Sequence, residues 1–348
     1  MNETVNEIGY FGGMNTADGF RSFFGELTDR VSYSYVIKGG PGTGKSYFMN
    51  LVRTEAENRG LSVELICCAS DAFSLDGILI PSLNIGIFDG TAPHVLDPKL
   101  PAVSGEWIRF DSFLDKTVLE KRRTEIEALS RSKKALYERE RAASVLYAEA
   151  EKEILAITEE CLYREKMSAA AGRILKKNMT GKTGETKNIQ VSSVGMRGTV
   201  KLPTLEKAAK DIRYVYGHGA ELFLSLLLRL TEEARKTVYV SRHPVLGEMP
   251  TDLFFPDSGV LFTVSERKPA ESGINMERFL DKEHLKSNRS SMRILHKIRE
   301  QASEAMNQSF RQIADCHFAI ERIYGEALDK EAKERYSAEL IGRIFGRC

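Results

Sequence analysis

Tyr33-Ser-Tyr-Val-Ile-Lys38, followed without a break by Gly39-Gly-Pro-Gly-Thr-Gly-Lys-Ser46, decides how the rest of this 348-residue chain is read. The first six residues read as a buried strand, because aromatic and β-branched side chains suit a covered, pleated surface. The next eight match Gly-x-x-x-x-Gly-Lys-Ser/Thr, and Phe48, Met49, Leu51 and Val52 then open an amphipathic helix. Strand, glycine-rich loop and helix in that order are the context this phosphate-binding loop (P-loop) motif requires. Glycine lets the backbone curl so that its N–H groups point inward at phosphate oxygens, and the helix N-terminus favours an anion. Lys45 then reaches the terminal phosphates as a point charge, and Ser46 offers its hydroxyl to Mg²⁺. Gly39, Gly40, Pro41, Gly42, Thr43, Gly44 and Tyr47 complete the lining of the nucleotide cradle.

Such a loop needs a carboxylate at the end of a neighbouring strand, on the metal side. Ile85-Gly-Ile-Phe-Asp89 supplies one, and the turn-forming residues after it leave the backbone open. Asp71 is the competitor, and Asp89 is preferred. Lys45 and Asp89 are therefore the expected catalytic pair, and Ser46 and Asp89 the expected metal-side groups. No glutamate follows Asp89, so Asp71, Asp76, Asp97 or Glu106 is left as the water-activating carboxylate, or a partner completes the site. His94 is the nearest histidine in sequence, read as a cap or packing residue ahead of a phosphate contact. Arg109 and Arg242 are candidate charge-stabilising arginines. Cys67 and Cys68 fall in an expected buried strand and read as small apolar residues.

Fifty basic against 49 acidic residues leave a formal charge of +1. That balance argues against a dedicated nucleic-acid or membrane-surface protein. The five cysteines (Cys67, Cys68, Cys161, Cys316, Cys348) form no CxxC pair, and the six histidines have no zinc-site spacing. Reduced thiols in a cytoplasmic protein are the expectation. No signal peptide is read at Met1–Gly13, and the densest apolar run, Leu222–Leu230, contains Arg229 and falls well short of the about 20 residues a membrane helix needs.

Two stretches without glycine or proline, Glu106–Ala171 and Ile274–Tyr324, read as helical. Leu129, Leu136, Ala143, Tyr147, Ala150, Ile154, Ile157 and Cys161 fall on one face of the first. Leu295, Ile298, Ala302, Met306, Phe310, Ile313, His317 and Ile320 do so in the second. A single straight helix over the first stretch would reach roughly 95 Å. A helical hairpin turning near Ser130–Ser132 is preferred. Strands are expected at Tyr33–Lys38, Ser62–Ala69, Ile85–Phe88, Ile212–Tyr216, Thr237–Ser241 and Val260–Val264.

A repeat is also legible. Tyr35–Gly40 aligns with Tyr214–Gly219, and Ile80-Pro81 aligns with Phe255-Pro256. The fold expected is α/β: a P-loop NTPase-type parallel sheet, duplicated with a degenerate second copy, with long helical, coiled-coil-like arms. A rival places all six strands in one sheet. The division is 1–114 for the nucleotide-binding unit, 115–178 for a helical arm, 179–200 for a linker, 201–270 for the degenerate unit and 271–348 for the C-terminal arm. The second unit has no lysine after its glycines, Glu221 would repel phosphate, Val264 stands for Asp89, and His218 reads as a turn residue.

Tyr35–Asn50, Ser74–Pro81 and Phe88–Pro98 resemble a bacterial, Firmicutes-type family of tandem P-loop ATPase-like proteins with helical arms. The resemblance runs over nearly the whole chain, and Asp89-Gly-Thr-Ala-Pro-His94 is its more specific tag. It implies ATP binding in the cytoplasm. The family's second unit often has a P-loop of its own, which this chain lacks.

The leading expectation is a Mg-ATP-dependent ATPase or switch whose arms engage a protein partner. A nucleotide or small-molecule kinase is the alternative, with Lys38, Arg109, Arg122 and Arg123 as lid residues. A non-hydrolysing scaffold is another. A DNA-repair-type ATPase ranks last, since no LSGG-type signature occurs. No N-K-x-D motif is present, which favours adenine over guanine.

Overall fold

The computed structural model describes residues 8–92, 95–178, 183–270 and 273–346; the readings of His94 and Cys348 lie outside them. The chain opens with β1 (Ile8–Phe11), a hairpin β2 (Gly13–Thr16) and β3 (Gly19–Ser22), and α1 (Phe24–Thr28). Then come β4 (Tyr33–Lys38), α2 (Lys45–Asn58), β5 (Glu64–Cys67), β6 (Leu75–Ile80), β7 (Ile85–Asp89) and β8 (Gly105–Arg109). Three helices follow: α3 (Lys116–Lys121), α4 (Arg123–Glu160) and α5 (Arg164–Asn178). The second half opens with β9 (Thr186–Asn188), β10 (Ser192–Gly195), β11 (Gly198–Lys201) and α6 (Thr204–Ala208). It continues with β12 (Asp211–Tyr216), α7 (Ala220–Glu233), β13 (Val238–Arg242), β14 (Pro250–Phe255), β15 (Val260–Ser265) and β16 (Gly273–Asn275). It closes with α8 (Lys282–Ser287), α9 (Arg289–Glu326) and α10 (Lys330–Gly346).

Twelve of the sixteen strands among the described residues form two separate six-stranded sheets, with β2–β3 and β10–β11 as two-stranded ones, so the rival reading with all six strands in one sheet falls. The orders are β1-β5-β6-β7-β4-β8 and β9-β13-β14-β15-β12-β16. In each sheet only the third strand, β6 or β14, runs against the rest. Those two strands were not foreseen. Their burial on both faces erases the alternation that marks a strand facing solvent. Strand register departs by one residue from the alignment of Tyr35 with Tyr214: Ile37 faces Asp89 and Val215 faces Val264, which would set Tyr35 against Arg213. The cause is a shorter turn, three residues at Gly217–Gly219 against six at Gly39–Gly44, and matching glycines across it drags the strand by one.

The expected linker at 179–200 is also corrected. Over 183–200 the chain carries β9, β10 and most of β11, with Val191 and Val194 buried, so the second unit begins before 201. These strands are too short, and too polar at Thr186–Asn188, to show a period in the sequence.

The long helices differ from expectation in how they fold back. α4 runs straight through Ser130–Ser132 for 38 residues, about 57 Å at 1.5 Å per residue. Its antiparallel partner is α9, also 38 residues, as the pairs Arg122–Glu326, Lys133–His317 and Glu151–Arg299 show. The seam packs Leu136, Ala143, Ala148 and Leu155 against Met306, Phe310 and Ile313. A hairpin within one stretch is unnecessary because the other stretch supplies the complementary face.

The helices that follow exchange places. α5 packs Met167, Ala171 and Leu175 into the second core with Phe223 and Phe262. α10 packs Leu340, Ile344 and Phe345 into the first core with Phe48 and Ile108. The crossings are matched: Tyr163 N–H donates to Phe279 O at 2.7 Å, and Asp329 N–H donates to Phe113 O at 2.9 Å. Each of these buried side chains other than Ala171 is worth about 1.5–3 kcal/mol, so neither half is complete without the helix delivered from the other. The arms 115–178 and 271–348 are thus not separable from the sheets. Among the described residues no helix is long and apolar enough to cross a membrane, and Cys67, Cys68, Cys161 and Cys316 are free thiols.

Candidate functional site

The Gly39–Gly44 loop leaves the end of β4 and turns into α2. Gly42 (φ 72°) and Gly44 (φ 80°) sit in the left-handed region, where a side chain would be strained. Thr43 is buried, and its hydroxyl donates to Gly40 O at 2.8 Å, which ties the loop to itself. The Lys45 ammonium folds back to donate to Gly39 O at 2.8 Å and Gly40 O at 3.0 Å. Asp89, at the end of the adjacent strand β7, places Oδ2 3.6 Å from that ammonium. Its Oδ1 accepts from the Thr91 N–H at 2.9 Å and hydroxyl at 2.6 Å. Ser46 Oγ accepts the Leu75 N–H at 2.9 Å, leaving a lone pair for a cation. Strand pairing therefore brings Lys45, Ser46 and Asp89 to one end of the sheet.

Other residues named from sequence go elsewhere. Asp71 pairs with Arg197 at 3.0 Å, Asp97 with Lys38 at 2.9 Å, and Glu106 with Arg343 at 3.6 Å. Asp76 is buried in β6. Lys38 also donates to Gly90 O and Leu96 O, at 3.0 and 2.6 Å, and so tethers the segment after Asp89. Arg109 pairs with Asp111 at 2.7 Å, Arg122 with Glu125 at 2.5 Å and Arg123 with Glu120 at 2.6 Å, all on the surface. The lid arginines are thus held by local carboxylates. Arg242 belongs to the second sheet and donates to Glu248 O at 2.7 Å. Cys68 is half-buried, and its desolvation, then the nearby Asp76 charge, pushes its thiol well up. Tyr47 is 56% exposed, with its ring 4.9 Å from the Lys333 ammonium.

Sequence reading missed what the far ends of α9 and α10 contribute. A Cβ on Gly42 would stand 2.2 Å from Glu321 O, and one on Gly40 would stand 2.6 Å from the Tyr324 ring. The end of α9 therefore lies directly on the loop. The Glu321 carboxyl is held below its usual range by His317 at 3.4 Å, with support from the Gly42 N–H and Lys45. His317 Nδ1 in turn lies 2.9 Å from the Lys133 ammonium. Burial pushes that ammonium down. From α10, Lys333 is 4% exposed, and a Cβ on Gly44 would stand 2.9 Å from its Nζ. Among the described residues it has no ion-pair carboxylate; Tyr47 and Phe110 rings flank it, and burial pushes its ammonium down. Beside Pro41 a cavity of about 380 Å³ opens between α4 and α9, lined by Lys133, Lys134, Tyr137 and Tyr324.

The loop thus gathers two ammoniums, Lys45 and Lys333, and two carboxylates, Asp89 and Glu321. Ser46 and Asp89 are the groups at this end of the sheet that could hold a metal ion. Among the described residues no cluster of three or more His, Cys, Asp or Glu side chains could hold a metal alone. No family model, curated protein or solved structure matches the chain.

Proposed function

We propose that this protein binds Mg-ATP at Gly39–Ser46 and acts as an ATPase or nucleotide-dependent switch, built from two copies of one unit of which the second has lost the nucleotide loop. The observation that carries the reading is the loop between β4 and α2, with Lys45 folded onto it and Asp89 3.6 Å away on the neighbouring strand. Support for two copies comes from the equal strand orders of the two sheets and the matched crossings of the long helices. The resemblance to tandem P-loop ATPase-like proteins points the same way and implies the cytoplasm.

In this reading Lys45 leaves the Gly39 and Gly40 carbonyls and turns to the β- and γ-phosphates. Ser46 and Asp89 would hold Mg²⁺, which would supply positive charge to offset the negative charge of the phosphates. Lys333 donates to the same phosphates from α10. Glu321 must give up the Gly42 N–H, because a carboxylate and a phosphate compete for one donor and repel each other. Filling the loop therefore displaces the end of α9. A 38-residue helix carries that displacement to the second half, where a partner reads it.

Calorimetric titration of the full chain with Mg-ATP, alongside Lys45→Ala, tests the assignment. Wild type should bind at micromolar to sub-millimolar Kd, and Lys45→Ala should lose binding by at least about tenfold, or 1.4 kcal/mol. Equal affinity in the two proteins refutes the site.

A further inference from the structure

Four acidic residues besides Asp89 are read from the sequence as able to serve the phosphate loop, and three are held elsewhere: Asp71 by Arg197, Asp97 by Lys38 and Glu106 by Arg343. Asp76 is the fourth. The antiparallel register of β6 with β7 runs from Ile80 opposite Ile85 to Gly77 opposite Phe88, and its next step sets Asp76 opposite Asp89. Residues directly opposite on antiparallel strands have Cβ atoms about 4.5–5.5 Å apart on one face of the sheet. That face is the one α2 covers. Ile78, Ile80, Ile85 and Ile87 pack there with Phe48, Met49 and Val52, while Leu79 and Phe88 pack on the other face with Phe24. Alternation along the strands therefore puts Asp76 and Asp89 on the side of α2.

Both residues are buried, at 6% and 8% exposure. Ser46 Oγ accepts the N–H of Leu75, the residue before Asp76, at 2.9 Å, so the hydroxyl meets the same end of β6. The Cys68 thiol shares a hydrogen bond with Asp76, and Lys45 lies 3.6 Å from Asp89. Two facing carboxylates repel each other, most strongly away from water. Lys45 offsets one of the two charges; when it turns to phosphate, a divalent cation is what can balance the pair. The second sheet offers an independent comparison. Its ladder runs from Phe255 opposite Val260 to Asp252 opposite Thr263, and its next step sets Thr251 opposite Val264 at the matching positions. The half whose turn lacks the lysine and the serine thus lacks both acids as well.

We infer that Asp76 is a second metal-side carboxylate, which with Asp89 and Ser46 holds the Mg²⁺ that accompanies a bound nucleotide; this assignment rests on Mg-ATP being the ligand of the loop. Two carboxylates and a hydroxyl fall short of an octahedral shell, which phosphate oxygens and water complete. That agrees with the absence, among the described residues, of three or more ligating side chains in one group.

Calorimetric titration of the full chain with ATP, once with Mg²⁺ and once in EDTA, compares wild type with Asp76→Asn and Asp76→Thr; Thr251 shows that the matching strand accommodates threonine. Wild type should bind ATP at least about thirtyfold more tightly with Mg²⁺ than without, and that gain should shrink to about threefold or less in both variants. In EDTA the variants should bind as tightly as wild type or more so, because a negative charge near the phosphates is gone. A loss of affinity of equal size with and without metal marks Asp76 as structural and overturns the assignment, as does an undiminished gain in either variant that folds by circular dichroism. Wild type binding ATP equally well in EDTA overturns it without recourse to the variants. No ATP uptake by wild type under either condition refutes the nucleotide reading itself, and this assignment falls with it.

Discussion

Lys333→Met separates binding from stability, because its two effects have opposite signs. Lys333 is the fourth residue of α10; the fourth residue of α5 is Met167, buried in the second core, so methionine is a side chain this turn accommodates. In the nucleotide-free protein the Lys333 ammonium is buried beside Gly44 and two aromatic rings, with no ion-pair carboxylate among the described residues. A cation kept from water without a counterion is unfavourable, and burial lowers its proton affinity accordingly. Methionine removes that penalty and keeps the packing. The free protein should gain about 1–2 kcal/mol and melt roughly 1–3 °C higher. With Mg-ATP the sign reverses. One charge-assisted hydrogen bond to phosphate is worth about 1.5–3 kcal/mol, so Kd should rise roughly 10- to 150-fold. Thermal melts with and without Mg-ATP, together with calorimetry, read both effects. A variant that binds Mg-ATP as tightly as wild type refutes the role of Lys333. One that melts lower without nucleotide shows that the ammonium has a structural partner.

Glu321→Gln should bind Mg-ATP about tenfold more tightly than wild type, because the carboxylate no longer contests the Gly42 N–H; equal or weaker binding in calorimetry removes the competition. Asp89→Asn should reduce Mg²⁺-dependent ATP hydrolysis or binding by more than Asp71→Asn does, since Asp71 is occupied by Arg197; the opposite ranking transfers the role to Asp71. His243 supplies a pH test. Burial first, then Arg299, pushes its pKa from 6.5 down to about 4, and its Nδ1 accepts from Val245 and Leu246 N–H at 3.2 Å each. The unfolded chain therefore binds a proton below pH 6.5 that the folded chain refuses until about pH 4. Stability should fall across that window as pH drops, by at most about 3 kcal/mol, and level off below it. Melting curves of wild type against His243→Asn should show the slope flatten in the variant; parallel curves sink the assignment.

The elements that were legible in sequence owe their form to neighbours along the chain. Tyr33–Lys38 declares a strand by its own side chains, and Gly39–Ser46 declares a loop by its spacing. The faces of the two long helices follow from residues three and four apart. Ile85–Asp89 was placed as a strand ending in a carboxylate, and register then set Asp89 opposite Ile37. Short elements failed for the same reason. Thr186–Asn188 and Gly273–Asn275 have three residues each and become strands only because an edge is waiting for them.

What the chain determined alone is the strand, glycine-rich loop and helix over Tyr33–Asn58, the two-part layout and the existence of the long helices, because each rests on local spacing, backbone freedom or helix period. The tertiary structure alone decided the exchange of α5 and α10 and the seating of Glu321 and Lys333 on the loop. Those depend on contacts between residues far apart in the chain, such as Gly44 with Lys333 and Glu151 with Arg299. One lysine or glutamate in a helix rich in both carries no mark of where its tip will lie; the crossing of two long helices assigns that position.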